Sequence, residues 1–290
     1  MQINQSTFIG CDADFATADI VLFGAPFDST TSFRPGARFA AQAMRPDSYG
    51  LETYSPRLDL DLTDFSIMDS GDLELVMGCS DVALNQISEH VDEILAASKI
   101  PAMIGGEHLV TLGALRSVVK KYPTLHIIHF DAHTDLRENY LGNPLSHACV
   151  IRRAWELVGD GRIWQFGIRS GLKEEFTWAK SHTHLQKFDF SGLAEVCTEL
   201  KGQPVYFTLD LDVLDPAYFP GTGTPEPCGV TVLQLLDAIR ELRNLDIVGF
   251  DVNELSPHYD ASGVSTAVAC KILRELLLQV AAHRRTRPQY

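Results

Sequence analysis

Seven short runs in this chain are apolar almost without interruption, at residues 20–26, 66–69, 101–105, 125–130, 163–168, 204–209 and 245–252, and several give way abruptly to polar residues. A strand that is apolar on both sides of its pleat has to be covered on both faces, the condition of a parallel sheet between layers of helices. Segments with helical period lie between the runs, at 81–97, 109–120, 231–242 and 265–282. The third is the best marked. Thr231 and Gln234 have capping-box spacing, and Val232, Leu235, Leu236, Ile239 and Leu242 share one helical face. The alternation predicts a three-layer α/β/α sandwich with a mainly parallel central sheet. With no repeat or linker to divide it, residues 1–290 are expected to form one domain.

In such sheets chemistry collects at the loops leaving the carboxyl ends of strands. The run at 125–130 leads straight into Asp131-Ala132-His133-Thr134-Asp135. As long as the backbone stays extended, residues at alternate positions point the same way. The run at 204–209 ends in Asp210-Leu211-Asp212, and that at 101–105 in Gly106-Glu107-His108, where glycines allow a tight turn before a helix. Each piece alone has an ordinary explanation: a structural hydrogen bond, a helix cap, or, for Asp215-Pro216, a turn. Together they do not. Four carboxylates at one sheet edge repel one another unless a cation lies among them. Two divalent cations would balance the four aspartates with both histidines neutral. Carboxylates with imidazole and without thiolate suit Mn²⁺, then Fe, Co or Ni, better than structural zinc. Two such ions ~3.5–4 Å apart share a water and lower its pKa.

A formal charge of −14 opposes nucleic-acid binding, which needs a basic footprint. It favours cationic small molecules, or simply keeps the chain soluble. No phosphate loop or dinucleotide fingerprint is present. The six cysteines are scattered without a C-x-x-C pair, as expected of reduced thiols in a cytoplasm. The first ten residues are mostly polar, unlike a secretory leader. No apolar run approaches the ~18 residues a membrane span needs.

Four segments, Gly105-Gly106-Glu107-His108, Asp131-Ala132-His133-Thr134-Asp135, Asp210-Leu211-Asp212-Val213-Leu214-Asp215-Pro216 and Pro220-Gly221-Thr222-Gly223-Thr224-Pro225, resemble the signatures of the arginase/agmatinase ureohydrolase family, in the family's order. The resemblance extends from Gly24-Ala25-Pro26-Phe27 to the last helix. It implies a three-layer sandwich with a binuclear manganese site. One ion would be held by His108, Asp131, Asp135 and Asp210, the other by Asp131, His133, Asp210 and Asp212, with Asp131 and Asp210 bridging. It further implies that Glu254 grips a guanidinium with Thr224 close by, that Asp135 passes a proton to the leaving amine, and that His147 shuttles protons. Read as residue types alone, Glu254 could form a loop salt bridge and His147 could begin a helix.

Segment 136–146 lacks the Ser/Thr/Asn-rich loop with which arginases hold an amino acid's α-groups. Asp135-Leu136-Arg137 and segment 51–56 are similar to agmatinases. The expected substrate is therefore a small cationic guanidino compound, agmatine, cut to putrescine and urea. Guanidinobutyrate, arginine and formimidoylglutamate stay open, as does a catalytically silent polyamine sensor. Arg137 bears on this choice, since facing inward it would favour a guanidino acid. Glu107 and Cys228 depart from the residues common in the family. The resemblance also implies a homo-oligomer, trimer or hexamer, with no nucleic-acid or membrane partner.

Overall fold

The computed structural model describes residues 7–286; residues 1–6 of the polar start lie outside the described residues. The strands are β1 (Ile20–Gly24), β2 (Tyr54–Ser55), β3 (Leu60–Asp61), β4 (Ile67–Asp72), β5 (Ile100–Ile104), β6 (His126–Phe130), β7 (Ile163–Ile168), β8 (His184–Lys187), β9 (Pro204–Asp210) and β10 (Asp246–Asn253). The helices are α1 (Ala40–Ser48), α2 (Ser80–Ala96), α3 (Val110–Lys121), α4 (Val150–Val158), α5 (Lys173–His182), α6 (Leu193–Glu199), α7 (Val232–Glu241) and α8 (Val264–Arg285). Eight strands form one sheet in the order β4-β1-β5-β10-β9-β6-β7-β8, and every neighbouring pair runs parallel. The strands β2 and β3 form a separate antiparallel pair.

Each sheet face carries its own apolar layer. On one, Leu84 of α2, Leu115 of α3, Ile151 of α4 and Ala179 of α5 pack against Val21, Met103 and Ile127. On the other, Met44 of α1, Val196 of α6, Leu235 of α7 and Leu273 of α8 pack against Leu22, Ile128 and Phe207. The capping box of α7 forms as expected, with Thr231 Oγ1 accepting from Gln234 N–H and Gln234 Oε1 accepting from Thr231 N–H. Phe130, the last residue of β6, meets Phe166 and Phe207 edge-on at 5.8 and 5.0 Å. It anchors the start of the 131–135 loop in the core, and truncating such a ring typically costs about 3–5 kcal/mol.

Four helices and three strands lie outside the segments marked by periodicity: α1, α4, α5, α6, β2, β3 and β8. The strand β8 sits at the sheet edge and reads His-Leu-Gln-Lys, half exposed, so it lacks the apolar run of a central strand. Among the described residues no helix is long and apolar enough to cross a membrane. All six cysteines are free; Cys11, Cys149 and Cys270 are buried, but Cys79 and Cys228 are exposed.

Candidate metal centre

The neighbouring strands β5, β10, β9 and β6 bring the polar residues to one spot. His108 follows β5 after the Gly105-Gly106 turn, Asp131 follows β6, Asp210 ends β9, and Glu254 follows β10. A Cβ on Gly106 would stand 1.9 Å from the carbonyl oxygen of Phe27, so only glycine permits that turn. The extended backbone expected across 131–135 breaks at Asp135, whose φ is 52°. Its carbonyl instead accepts the N–H groups of Ile151 and Arg152 at the start of α4. Glu254 is left-handed too, at φ 66°. Non-glycine residues hold that conformation where their surroundings enforce it, often at functional sites.

His108 Nδ1 lies 3.1 Å from Asp131 Oδ2, 3.2 Å from Asp210 Oδ2 and 3.4 Å from Asp135 Oδ2. His133 Nδ1 lies 3.0 Å from Asp212 Oδ2 and 3.5 Å from Asp131 Oδ1. Asp131 thus turns one oxygen to each imidazole. The six residues expected to converge do so, and all but His133 are buried.

The hydrogen-bond network identifies which nitrogens carry protons. Thr208 Oγ1 donates to Asp251 Oδ1 at 2.6 Å, so it accepts from His108 Nε2, 2.8 Å away. Neutral His108 therefore presents its Nδ1 lone pair to three carboxylate oxygens. That arrangement is repulsive unless a cation or proton sits between them, which is what a metal ligand requires. Asp251 also accepts from Tyr206 Oη and Asn253 Nδ2, at 2.7 Å each, which fixes the far end of the relay.

His129 was missed from the sequence. It lies two residues before Asp131 on the same strand face, and its Nε2 is 2.8 Å from Asp131 Oδ2. The same alternation that picked out His133 would have found it had the reading been carried back into the apolar run. His129 joins His108, Asp131 and Asp135 in a cluster able to hold a metal, beside a second of Asp131, His133 and Asp212. Gln165 decides its part. The Gln165 amide nitrogen donates to the Thr134 carbonyl and lies 3.1 Å from His129 Nδ1, which must accept. The His129 Nε2–H then points at Asp131, so His129 steadies that carboxylate while His108 offers a lone pair. Thr208 and Asp251 were also missed; a carboxylate inside an apolar run was their signal.

Among the described residues no lysine or arginine pairs with Asp131, Asp135, Asp210 or Asp212. Burial, then repulsion from Asp212 and Asp131, pushes the Asp210 carboxyl well above its ordinary range. Burial and the charge of Asp131 push Asp135 up to about 7. Burial opposes charge on His108, but its bonds to Asp131, Asp135 and Asp210 outweigh it and raise its pKa well above normal. These carboxylates and imidazoles fit a centre built around positive charge.

Glu254 Oε1 accepts the N–H of His108 at 2.8 Å, and Oε2 lies 3.4 Å from where a Cβ on Gly223 would stand. Burial, followed by the charge of Glu107, raises its pKa well above the carboxylate range. His147 opens the turn before α4; its N–H donates to Thr30 Oγ1, and its buried Nε2 has no hydrogen-bond partner. Burial, then the fields of His133 and His108, lower its pKa to about 4. Glu107 accepts Thr30 Oγ1–H at 2.6 Å and Thr30 N–H at 2.8 Å, and so holds the hydroxyl on which His147 rests. Thr224 Oγ1 donates to Asp212 Oδ2 at 3.2 Å. Arg137 lies 3.9 Å from Glu175 and over the ring of Tyr140. Asp215 accepts from Ala217 and Gly229, the turn its sequence suggests.

Comparison with known proteins agrees with this geometry. The arginase family pattern matches residues 18–279. An agmatinase of Bacillus subtilis is 48% identical over 275 residues, covering 93% of this chain and 95% of its own. The crystal structure of agmatine ureohydrolase of Thermoplasma volcanium is 33% identical with a TM-score of 0.89, covering 99% of this chain and 98% of its own. The proclavaminate amidinohydrolase structure from Streptomyces clavuligerus is 34% identical with a TM-score of 0.87, covering 98% of both chains. By sequence the chain groups with agmatinase-type amidinohydrolases. A matching pattern over most of its length, the eight-stranded parallel sheet and the His/Asp cluster at its strand ends together show that the chain belongs to the arginase family.

Proposed function

We propose that this chain hydrolyses agmatine to putrescine and urea, a reaction that serves polyamine synthesis, with two Mn²⁺ ions held among its aspartates. His108, Asp131, Asp135 and Asp210 would hold one ion, and Asp131, His133, Asp210 and Asp212 the other. When bound, the pair supplies a water of lowered pKa and hence a nucleophile at neutral pH.

The chain's own side chains do the rest. A guanidinium stays protonated, with a pKa above ~12, and needs a carboxylate to dock beside a cationic centre. Glu254 offers one, steadied through Oε1 by His108 N–H. Asp135, buried with its Oδ2 3.4 Å from His108 Nδ1, is the carboxylate placed to take up a proton and hand it to the leaving amine. His147 presents an unpartnered Nε2 for proton exchange. Arg137 is engaged by Glu175 and Tyr140, which favours agmatine over a guanidino acid. Free thiols throughout agree with a cytoplasmic home, and the family resemblance with a homo-oligomer.

The observation that carries this reading is the convergence of four buried aspartates with no lysine or arginine paired to them among the described residues. The test is to strip metal with a chelator, restore Mn²⁺, and compare urea release from agmatine, arginine and 4-guanidinobutyrate, with formamide assayed from formimidoylglutamate. Agmatine should lead by at least an order of magnitude. Silence toward all four would leave the sensor reading standing in its place.

A further inference from the structure

Arg169 follows directly on β7 and makes no ion pair among the described residues. Its guanidinium donates instead to six backbone carbonyls. Nη2 reaches Asp212, Leu214 and Glu226 at 2.8, 3.3 and 2.7 Å. Nη1 reaches Val213 at 3.0 Å and Gly167 at 3.3 Å, and Nε reaches Pro227 at 3.1 Å and Glu226 at 3.2 Å. The carbonyls of 212–214 end the short helical turn at Leu211–Val213, where a helix's last carbonyls lack partners within the helix; that of Val213 also accepts the Val230 N–H. Glu226 and Pro227 belong to the loop that carries Thr224. A Cβ on Gly229 would stand 2.6 Å from Nη2, so this loop closes over the guanidinium only because it has glycine there.

The backbone beside Arg169 grips a third loop. The N–H groups of Arg169 and Ser170 both donate to the Ala132 carbonyl, at 2.7 and 2.9 Å, and Thr134 N–H donates to Ser170 at 3.0 Å. Residues 169–170 therefore touch the Asp131–Asp135 loop through the main chain and the Asp212 and Thr224 loops through the side chain. No other residue type would serve. A planar fork with five donors spans these carbonyls, whereas lysine has three donors at one point.

We propose that Arg169 is a positioning residue that sets Asp212 and Thr224 against the Asp131–Asp135 loop and thereby determines how tightly Asp131, His133 and Asp212 hold a cation. This rests on the two-metal reading, so the test has one arm that needs no metal. Arg169→Lys and Arg169→Gln are compared with the parent by hydrogen exchange of the metal-free chain, by Mn²⁺ titration, and by kcat and KM for agmatine.

Expected are exchange roughly 10-fold faster in peptides spanning 211–215 and 224–229, with core peptides unchanged. One Mn²⁺ equivalent should weaken roughly 10–100-fold while the other keeps its affinity. The fall in kcat should be partly reversed by added Mn²⁺, and lysine should rescue no better than glutamine. Parental exchange and affinity in Arg169→Lys would overturn the proposal. So would loss of both equivalents together with the whole sheet, or failure of both variants to fold, since Arg169 would then be a general structural residue. If the parent itself binds a single equivalent, the two-metal reading fails, and the exchange arm still decides whether Arg169 is the clamp.

Discussion

The backbone N–H of His108 donates to Glu254 Oε1 at 2.8 Å, so the residue whose imidazole faces three aspartates and the buried Glu254 carboxylate are joined across 146 positions of sequence. Glu254→Gln keeps an acceptor for that N–H but removes the charge. Metal content should stay parental while kcat/KM for agmatine falls roughly 10²-fold, the value of a charge-assisted contact of about 2–3 kcal/mol. Metal analysis beside a urea assay checks it, and joint loss of metal and activity would contradict the assignment.

Thr208→Val removes the hydroxyl between His108 and Asp251 without changing side-chain shape. It leaves the buried His108 Nε2–H unmet, which costs about 1–3 kcal/mol, while Asp251 keeps its Asn253 and Tyr206 donors. The freed imidazole no longer has its Nδ1 lone pair fixed toward the aspartates, so Mn²⁺ affinity should weaken at least about 10-fold. Thr208→Ser should restore both thermal stability and affinity. If Thr208→Val titrates like the parent, the relay is idle.

His147→Ala should lower turnover about 10²–10⁴-fold with metal content unchanged. The parent imidazole, with its pKa lowered to about 4, is neutral across the pH range of ordinary assays. The parent rate profile should therefore show no His147 limb between about pH 6 and 9. A limb there that vanished in His147→Ala would contradict that environment.

Asp260 supplies the acid-sensitive element of α8. Its Oδ2 accepts from Ser265 N–H and Oγ–H, both at 2.7 Å, and its Oδ1 from Ser262. The bonds from Ser262 and then Ser265 hold its pKa down to about 2. A carboxylate whose pKa is lower folded than unfolded stabilises fully above its unfolded value, about 3.9. That contribution disappears as pH falls from about 4 to about 2. Asp260→Asn should lose about 1 kcal/mol, or about 2 °C in thermal midpoint, at pH 7, and show a flatter acid dependence in that window.

Arg137→Ala should change kcat/KM for agmatine less than about 3-fold and leave 4-guanidinobutyrate a poor substrate, because the side chain is held by Glu175 and Tyr140. A strong gain on agmatine, or loss of the residual activity on 4-guanidinobutyrate, would show that Arg137 faces the ligand after all.

The layered fold and the convergence of six candidate metal-holding side chains were legible because both follow from short-range rules. Continuous apolar runs demand two covers, and clustered aspartates at strand ends demand positive charge. The parts that were not legible depend on neighbours distant in sequence. Asp251 looks like an intrusion in a strand until Thr208 and Tyr206 stand beside it. Thr30 carries no signal until Glu107 and His147 meet its hydroxyl. Asp135 and Glu254 turn left-handed because surrounding loops hold them so. The helix α4 was in principle readable, since Val150, Ile151, Ala154 and Val158 keep helical period.

The sheet's order also bears on how the chain comes to life. Its middle strands stand side by side as β5, β10, β9 and β6, while synthesis delivers them as β5, β6, β9 and β10. The last made must slide between two already present, a contact of long loop closure that folds slowly. Until then β5 has no partner on that side, and a chain that stops before β10 lacks both that strand and Glu254. A growing chain cannot bring the His/Asp cluster and Glu254 together in their final geometry before most of its residues have left the ribosome.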